Sequence, residues 1–303
     1  MKHNIKITLI LIGLFIIAQL IGIAVISFYT PQVESAIVNG TLTNITTYNL
    51  PYGTSPPPET NPQINLFSII IAIFIAAGLM FVLMKFKAEF FLRLWFFFVV
   101  ALAIAVTLNA ALSFLMYSSA IALVFGLALS SIKVYQRNIF VHNLTEPLIY
   151  PGVAAILVPL FNVWTVIILL IVISIYDMYA VWHAGFMQKM AKYQIEKLRF
   201  FTGLFIPYLG KNDRKLSANK SKKGKKVKVS VAILGGGDIV FPIILAGVVL
   251  LTFGLVQALI VSLGATIGLI SLLYLSEKGK FYPAMPFITA GCFAALIINH
   301  FIF

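Results

Sequence analysis

Long uninterrupted apolar runs constrain this chain more than any single motif in it. Several reach the ~20 residues that a helix needs to cross a bilayer, in a chain of 303 residues that is 61% hydrophobic and 10% charged. Backbone polar groups in lipid must be satisfied internally, so helices are the expected spanning elements. The alternation of a membrane barrel is absent from these runs. The first run, from Ile7 to about Phe28, follows Lys2 and Lys6 as a secretory signal would. Its apolar core exceeds the roughly 7–15 residues of a signal, and no small-x-small site follows, so it is expected to be retained as a span. Cys292 is the single cysteine and can form no intrachain disulfide.

Nine spans are expected, at 6–28, 65–84, 94–116, 118–132, 148–161, 163–183, 231–252, 254–274 and 282–302, with tight breaks near Tyr117, Asn162 and Thr252-Phe253-Gly254. No internal repeat is evident. The expectation is an all-α membrane protein forming one polytopic domain over 1–303, with an extracytoplasmic loop at 29–65 and a basic cytoplasmic loop at 184–229. With nine spans, all 22 Lys and Arg fall on one side, and thirteen of them lie in 189–228. Lys and Arg gather in cytoplasmic loops, which puts the N-terminus inside and the C-terminus outside. The net charge of +13 therefore reads as a solvated loop that is drawn to anionic headgroups, with no nucleic-acid partner. The outer segment is rich in Pro, Thr and Asn and reads as irregular; Asn39 and Asn44 each begin a glycosylation pattern.

Of nine acids, two fall within the expected spans, Asp177 in "IVISIYDMYAVWH" and Asp238 in "LGGGDIVFP". A charge at that depth costs a few kcal/mol at least. Counted as helix from the inner ends of their spans, the two lie about 9 and 12 Å deep, on spans running in opposite directions. Two costly groups at one level form one site. A proton- or cation-coupled transporter could use such carboxylates, and broken, glycine-bearing helices suit it. There is no His-Glu-x-x-His for a metalloprotease and no Gly-x-Ser-Gly. A carboxylate dyad fits as well: two acids around a shared water cannot both ionise easily, so one is a base and the other an acid. No metal or organic cofactor is implied. Glu146-Pro147 reads as a span boundary, and Gly264 and Gly268 read as close helix packing. Trp95, Trp164 and Trp182 read as interfacial anchors.

Tyr176-Asp177, Gly235-Gly236-Gly237-Asp238 and Pro283-Ala284-Met285, in that order on three spans, resemble the Tyr-Asp, Gly-x-Gly-Asp and Pro-Ala-Leu motifs of the presenilin and signal peptide peptidase family. The resemblance implies a nine-span intramembrane aspartyl protease with Asp177 and Asp238 as its catalytic pair. The glycines and the Pro-Ala-Met segment would be substrate-binding or supporting, with Tyr176 either beside the dyad or merely packed. An inside N-terminus is similar to the presenilin branch. Implied substrates are single-span membrane proteins or signal-peptide-like remnants. The implied location is the cell membrane of a prokaryote or an endomembrane of a eukaryote. Met285 replaces the family's Leu at similar volume, and a lysine-rich loop stands where presenilin carries the apolar segment cut in maturation.

One stretch does not read as helix. Val227, Val229, Val231 and Ile233 alternate with Lys228, Ser230 and Ala232, a strand period. About 227–233 is expected to pair with substrate unwound near the cut. The run at 198–210 reads as an amphipathic surface segment.

Overall fold

The computed structural model describes residues 5–38, 41–56, 61–136, 138–184, 202–208, 230–276 and 282–302. Among these, nine helices are long and apolar enough to cross a membrane. They are α1 (Ile5–Phe28), α2 (Pro62–Lys85), α3 (Glu89–Ala111), α4 (Ser118–Tyr135), α5 (Ile139–Leu157), α6 (Val163–Tyr179), α7 (Gly236–Phe253), α8 (Leu255–Leu275) and α9 (Met285–Ile302). Two antiparallel pairs of strands accompany them: β1 (Gln32–Val38) with β2 (Thr41–Thr47), and β3 (Gly203–Tyr208) with β4 (Ser230–Gly235).

The three expected breaks mark real helix ends. Tyr117 precedes α4, and Asn162 caps α6 in a reciprocal box with Thr165. Gly254 closes α7 at φ 108°, a conformation that glycine adopts without strain. Its N–H reaches back to the carbonyls of Leu250 and Val249, and α8 begins at the next residue.

Helix α7 is the structural centre. Ile239 and the run from Ile243 to Val249 are buried, and the helix packs on α1, α5, α6 and α8. Helices α8 and α9 approach unusually closely: a Cβ at Gly264 would strike the carbonyl of Gly291, and one at Gly268 that of Phe287. The spacing of Gly264 and Gly268 is therefore a packing surface, and its partner is α9. Helix α2 is the opposite case. Leu66 is its only buried residue among those described, which leaves an apolar flank suited to lipid.

Several expectations are corrected. The outer segment is not irregular, because β1 and β2 pair from Gln32↔Thr47 to Val38↔Thr41. Helix α5 starts at Ile139, well before 148, where Asn138 accepts hydrogen bonds from the Phe140 and Val141 N–H groups. Glu146-Pro147 is consequently no boundary; it lies inside that helix, with Glu146 1% exposed. The seventh helix starts at Gly236 rather than 231, because the preceding residues are strand. The depth counted for Asp238 fails with it, since a strand rises ~3.3 Å per residue and not ~1.5 Å. Within the segment 198–210, the described residues 203–208 form β3. Residues 227–229 and most of 184–229 lie outside the described residues.

Candidate active site

Asp177 sits in the last turn of α6 and Asp238 in the first turn of α7, at neighbouring ends of two packed helices. Each carboxylate is held by backbone. Asp177 is buried, and its Oδ2 accepts the Met285 N–H at 3.1 Å, with the Ala284 backbone beside it. The Pro-Ala-Met segment can do this because it is not yet helical. Pro283 and Ala284 precede α9, and Met285 opens it with N–H groups that no preceding turn accepts. One turn earlier on α6, the Ser174 hydroxyl meets that of Thr289 at 2.9 Å, so the same two helices are pinned twice.

Asp238 is the third helical residue after the cap Gly235, and its carboxylate folds back onto the Gly235 backbone. This is half of a capping box, and it sets a carboxylate at the positive end of the helix. The two aspartates are close enough to act on each other electrostatically. A cavity of about 120 Å³ opens beside Asp238, with Ile233, Leu234, Leu272, Tyr282 and Ala284 among its walls. It brings the end of β4, one acid and the segment holding the other acid to one space.

The three glycines are not equivalent. A Cβ on Gly235 would lie 3.1 Å from Asp238 Oδ2. One on Gly236 would lie 2.9 Å from Cε1 and 3.2 Å from the hydroxyl of Tyr150. One on Gly237 would meet only Phe241, at an ordinary 3.5 Å, and Gly237 is exposed. Two glycines thus make room for the site's own groups, and the third leaves open space. Tyr176 turns to α2, where its ring meets Phe74 edge-on at 6.0 Å between centroids.

Among the described residues, β3 is the only strand paired with β4, and the other edge of β4 has no partner strand. Asn143 of α5 takes both backbone groups of Phe205: its Nδ2 donates to the carbonyl at 2.9 Å and its Oδ1 accepts the N–H at 3.1 Å. Phe205 therefore faces away from β4, and its partner Ile233 faces away from β3. By alternation, Val231 and Ile233 turn their backbone groups to that outer edge, whereas the Gly235 backbone is engaged by the Asp238 carboxylate. The asparagine covers the other edge of the pair.

Residues outside the three motifs surround this arrangement. Lys133 on α4 and Glu146 on α5 form a buried ion pair, and the Tyr150 hydroxyl donates to the other Glu146 oxygen. The signal was present, since His142, Glu146 and Tyr150 recur every fourth residue, along one face of a helix.

A model of the family described as signal-peptide peptidase, presenilin aspartyl protease matches residues 41–303. The chain belongs to that family. A presenilin family intramembrane aspartate protease, solved in two crystal forms, has a similar fold. One form gives a TM-score of 0.62 at 17% identity, covering 98% of this chain and 99% of the other. The second gives 0.58 at 17% identity, covering 97% of each. No curated protein matches the sequence. Family membership makes this protease an aspartic endopeptidase and an integral, multi-pass membrane protein, and nothing favours the transporter alternative.

Proposed function

We propose that Asp177 and Asp238 are the two acids of this intramembrane aspartyl protease. The observation that carries the reading is that two family motifs hold them from outside their own side chains, Met285 tethering Asp177 and Gly235 tethering Asp238. The attacking water sits between the two carboxylates. One acid takes a proton from that water as it attacks the scissile carbonyl; the other, protonated, supplies a proton to the carbonyl oxygen. The tetrahedral intermediate then collapses as a proton passes to the leaving nitrogen, giving a new carboxyl and a new amine. Asp177, Asp238, Gly235, Ala284 and Met285 form the centre of the site, with Pro283 entering the turn. Gly236 supports it from below, Gly237 faces the approaching chain, and Tyr176 belongs to the α2–α6 contact.

The substrates are single-span membrane proteins and signal-peptide-like remnants. Their helices must unwind before water reaches a carbonyl, and the freed backbone then needs partners. The outer edge of β4 supplies them at Val231 and Ile233, just before the turn that carries Asp238. The N-terminus lies inside and the C-terminus outside, which places both acids toward the cytoplasmic face.

Purified protein incubated with a single-span peptide, its products identified by mass, tests the activity. The edge is tested at one position. Ile233→Pro removes a donor that faces the substrate and leaves the ladder to β3 intact, whereas proline at Ala232 or Leu234 breaks that ladder. Ile233→Pro should raise KM strongly, with Ile233→Ala close to wild type. Equal KM for the two in folded protein would exclude backbone pairing there.

A further inference from the structure

A lysine and a glutamate are buried together behind the site. Lys133 is 6% exposed, Thr145 0%, Glu146 1% and Tyr150 5%. Removing two charges from water costs several kcal/mol each, and a buried pair is often no more stabilising than apolar residues of the same size. Fold stability is therefore a weak reason for this one. Its hydrogen bonding is unusually complete. The Lys133 ammonium meets Glu146 Oε1, the Thr145 hydroxyl at 3.3 Å and His142 Nδ1 at 3.2 Å, which accounts for three donors. Because His142 Nδ1 accepts from an ammonium, the ring proton sits on Nε2, which donates to the Gly203 carbonyl at 2.8 Å. Tyr150 occupies the remaining Glu146 oxygen.

Two arms leave this hub for two parts of the site. Tyr150 lays its ring and hydroxyl against Gly236, two residues before Asp238. His142 and its neighbour Asn143 grip Gly203 and Phe205 of β3, whose other edge pairs with β4. We propose that Lys133 and Glu146 are the hub of a positioning network that holds the Asp238 turn and the β3–β4 pair in one register. The strand that receives the substrate and the acid that attacks it are thereby fixed relative to each other. The inference rests on the assignment of Asp238 to the dyad, and none of the five residues touches the reacting atoms.

The arms have different kinetic signatures. Tyr150→Phe keeps the ring and loses only the hydroxyl. It should lower kcat by about tenfold with KM within about twofold, and weaken a hydroxyl-bearing transition-state analogue by the same factor. Asn143→Leu should raise KM and spread cleavage to neighbouring bonds, read by product mass. Lys133→Met with Glu146→Leu exchanges the pair for apolar residues without leaving a charge unpaired. It should show both effects, and adding Tyr150→Phe to it should make kcat no worse. A merely structural cluster would lower thermal stability and leave analogue affinity and cleavage position unchanged. The proposal is overturned if Tyr150→Phe, folded as wild type, keeps wild-type kcat and analogue affinity. It is equally overturned if its loss simply adds to that of the hub exchange. Residual cleavage by Asp238→Asn would instead remove the assignment on which it rests, so the two failures are distinct.

Discussion

Gly236→Ala adds one methyl group at the most crowded point of the glycine run. The new Cβ would lie 2.9 Å from Tyr150 Cε1, against the ~3.5–4.0 Å that carbon pairs prefer. Something must therefore yield by about 0.6 Å or more. Tyr150 is 5% exposed and its hydroxyl is engaged by Glu146, so the ring has little freedom to retreat. The start of α7 moves instead, and Asp238 moves with it. Overpacking of this kind costs ~1–3 kcal/mol, and a displacement approaching 1 Å can cost on the order of a hundredfold in rate. Gly236→Ala should lower kcat by roughly 10- to 100-fold. Gly237→Ala, whose Cβ meets Phe241 at 3.5 Å, should stay within about threefold of wild type. The assay is initial-rate cleavage of a single-span peptide in bilayer-like particles, with thermal unfolding run in parallel. Tyr150→Leu in the Gly236→Ala background should recover part of the rate. Equal rates for the two alanine variants, at equal stability, would refute the crowding argument.

Other consequences are as direct. Met285→Leu should be mild, because its backbone N–H still reaches Asp177; Met285→Pro deletes that donor and should lower kcat by about tenfold or more, a bond to a charged group contributing ~1.5–3 kcal/mol. Gly268→Leu should separate α8 from α9 and lower the unfolding temperature clearly more than Gly78→Leu, since a Cβ on Gly78 meets nothing within 4 Å; similar shifts would discount the contact. Gly237→Leu should suppress turnover in folded protein, because it fills the open space before the dyad. Asn49→Cys, exposed between β2 and α2, should react with an impermeant maleimide from the outside of intact cells, and labelling only after lysis would invert the proposed orientation.

The spans were legible because lipid imposes a continuous apolar length, and Asn162 and Gly254 announced their helix ends by capping chemistry. The two aspartates were legible because nothing else in their surroundings justified a charge. What misled was polarity satisfied inside the protein. His142, Thr145, Glu146 and Pro147 lower the local hydropathy and look like the end of a span, yet their polar groups find partners within the fold. Hydropathy records a residue's preference for water and is blind to a lysine on a neighbouring helix. Strand β4 was visible from its alternation, and its described part runs from Ser230 to Gly235. Its partner β3 was hidden because "GLFIPY" carries neither a helix nor a strand period, and its outer edge is matched by an asparagine side chain. The roles of the glycines could not be separated in sequence, since Gly236 is defined by a tyrosine 86 positions earlier in the chain.

Asp177 and Asp238 are proposed to act as one unit. The most direct measurement is single-turnover cleavage of a single-span peptide by Asp177→Asn, Asp238→Asn and the double variant, each confirmed as folded. Each single change should abolish product, and the double variant should be no worse than either. Substantial cleavage by either folded single variant would contradict this.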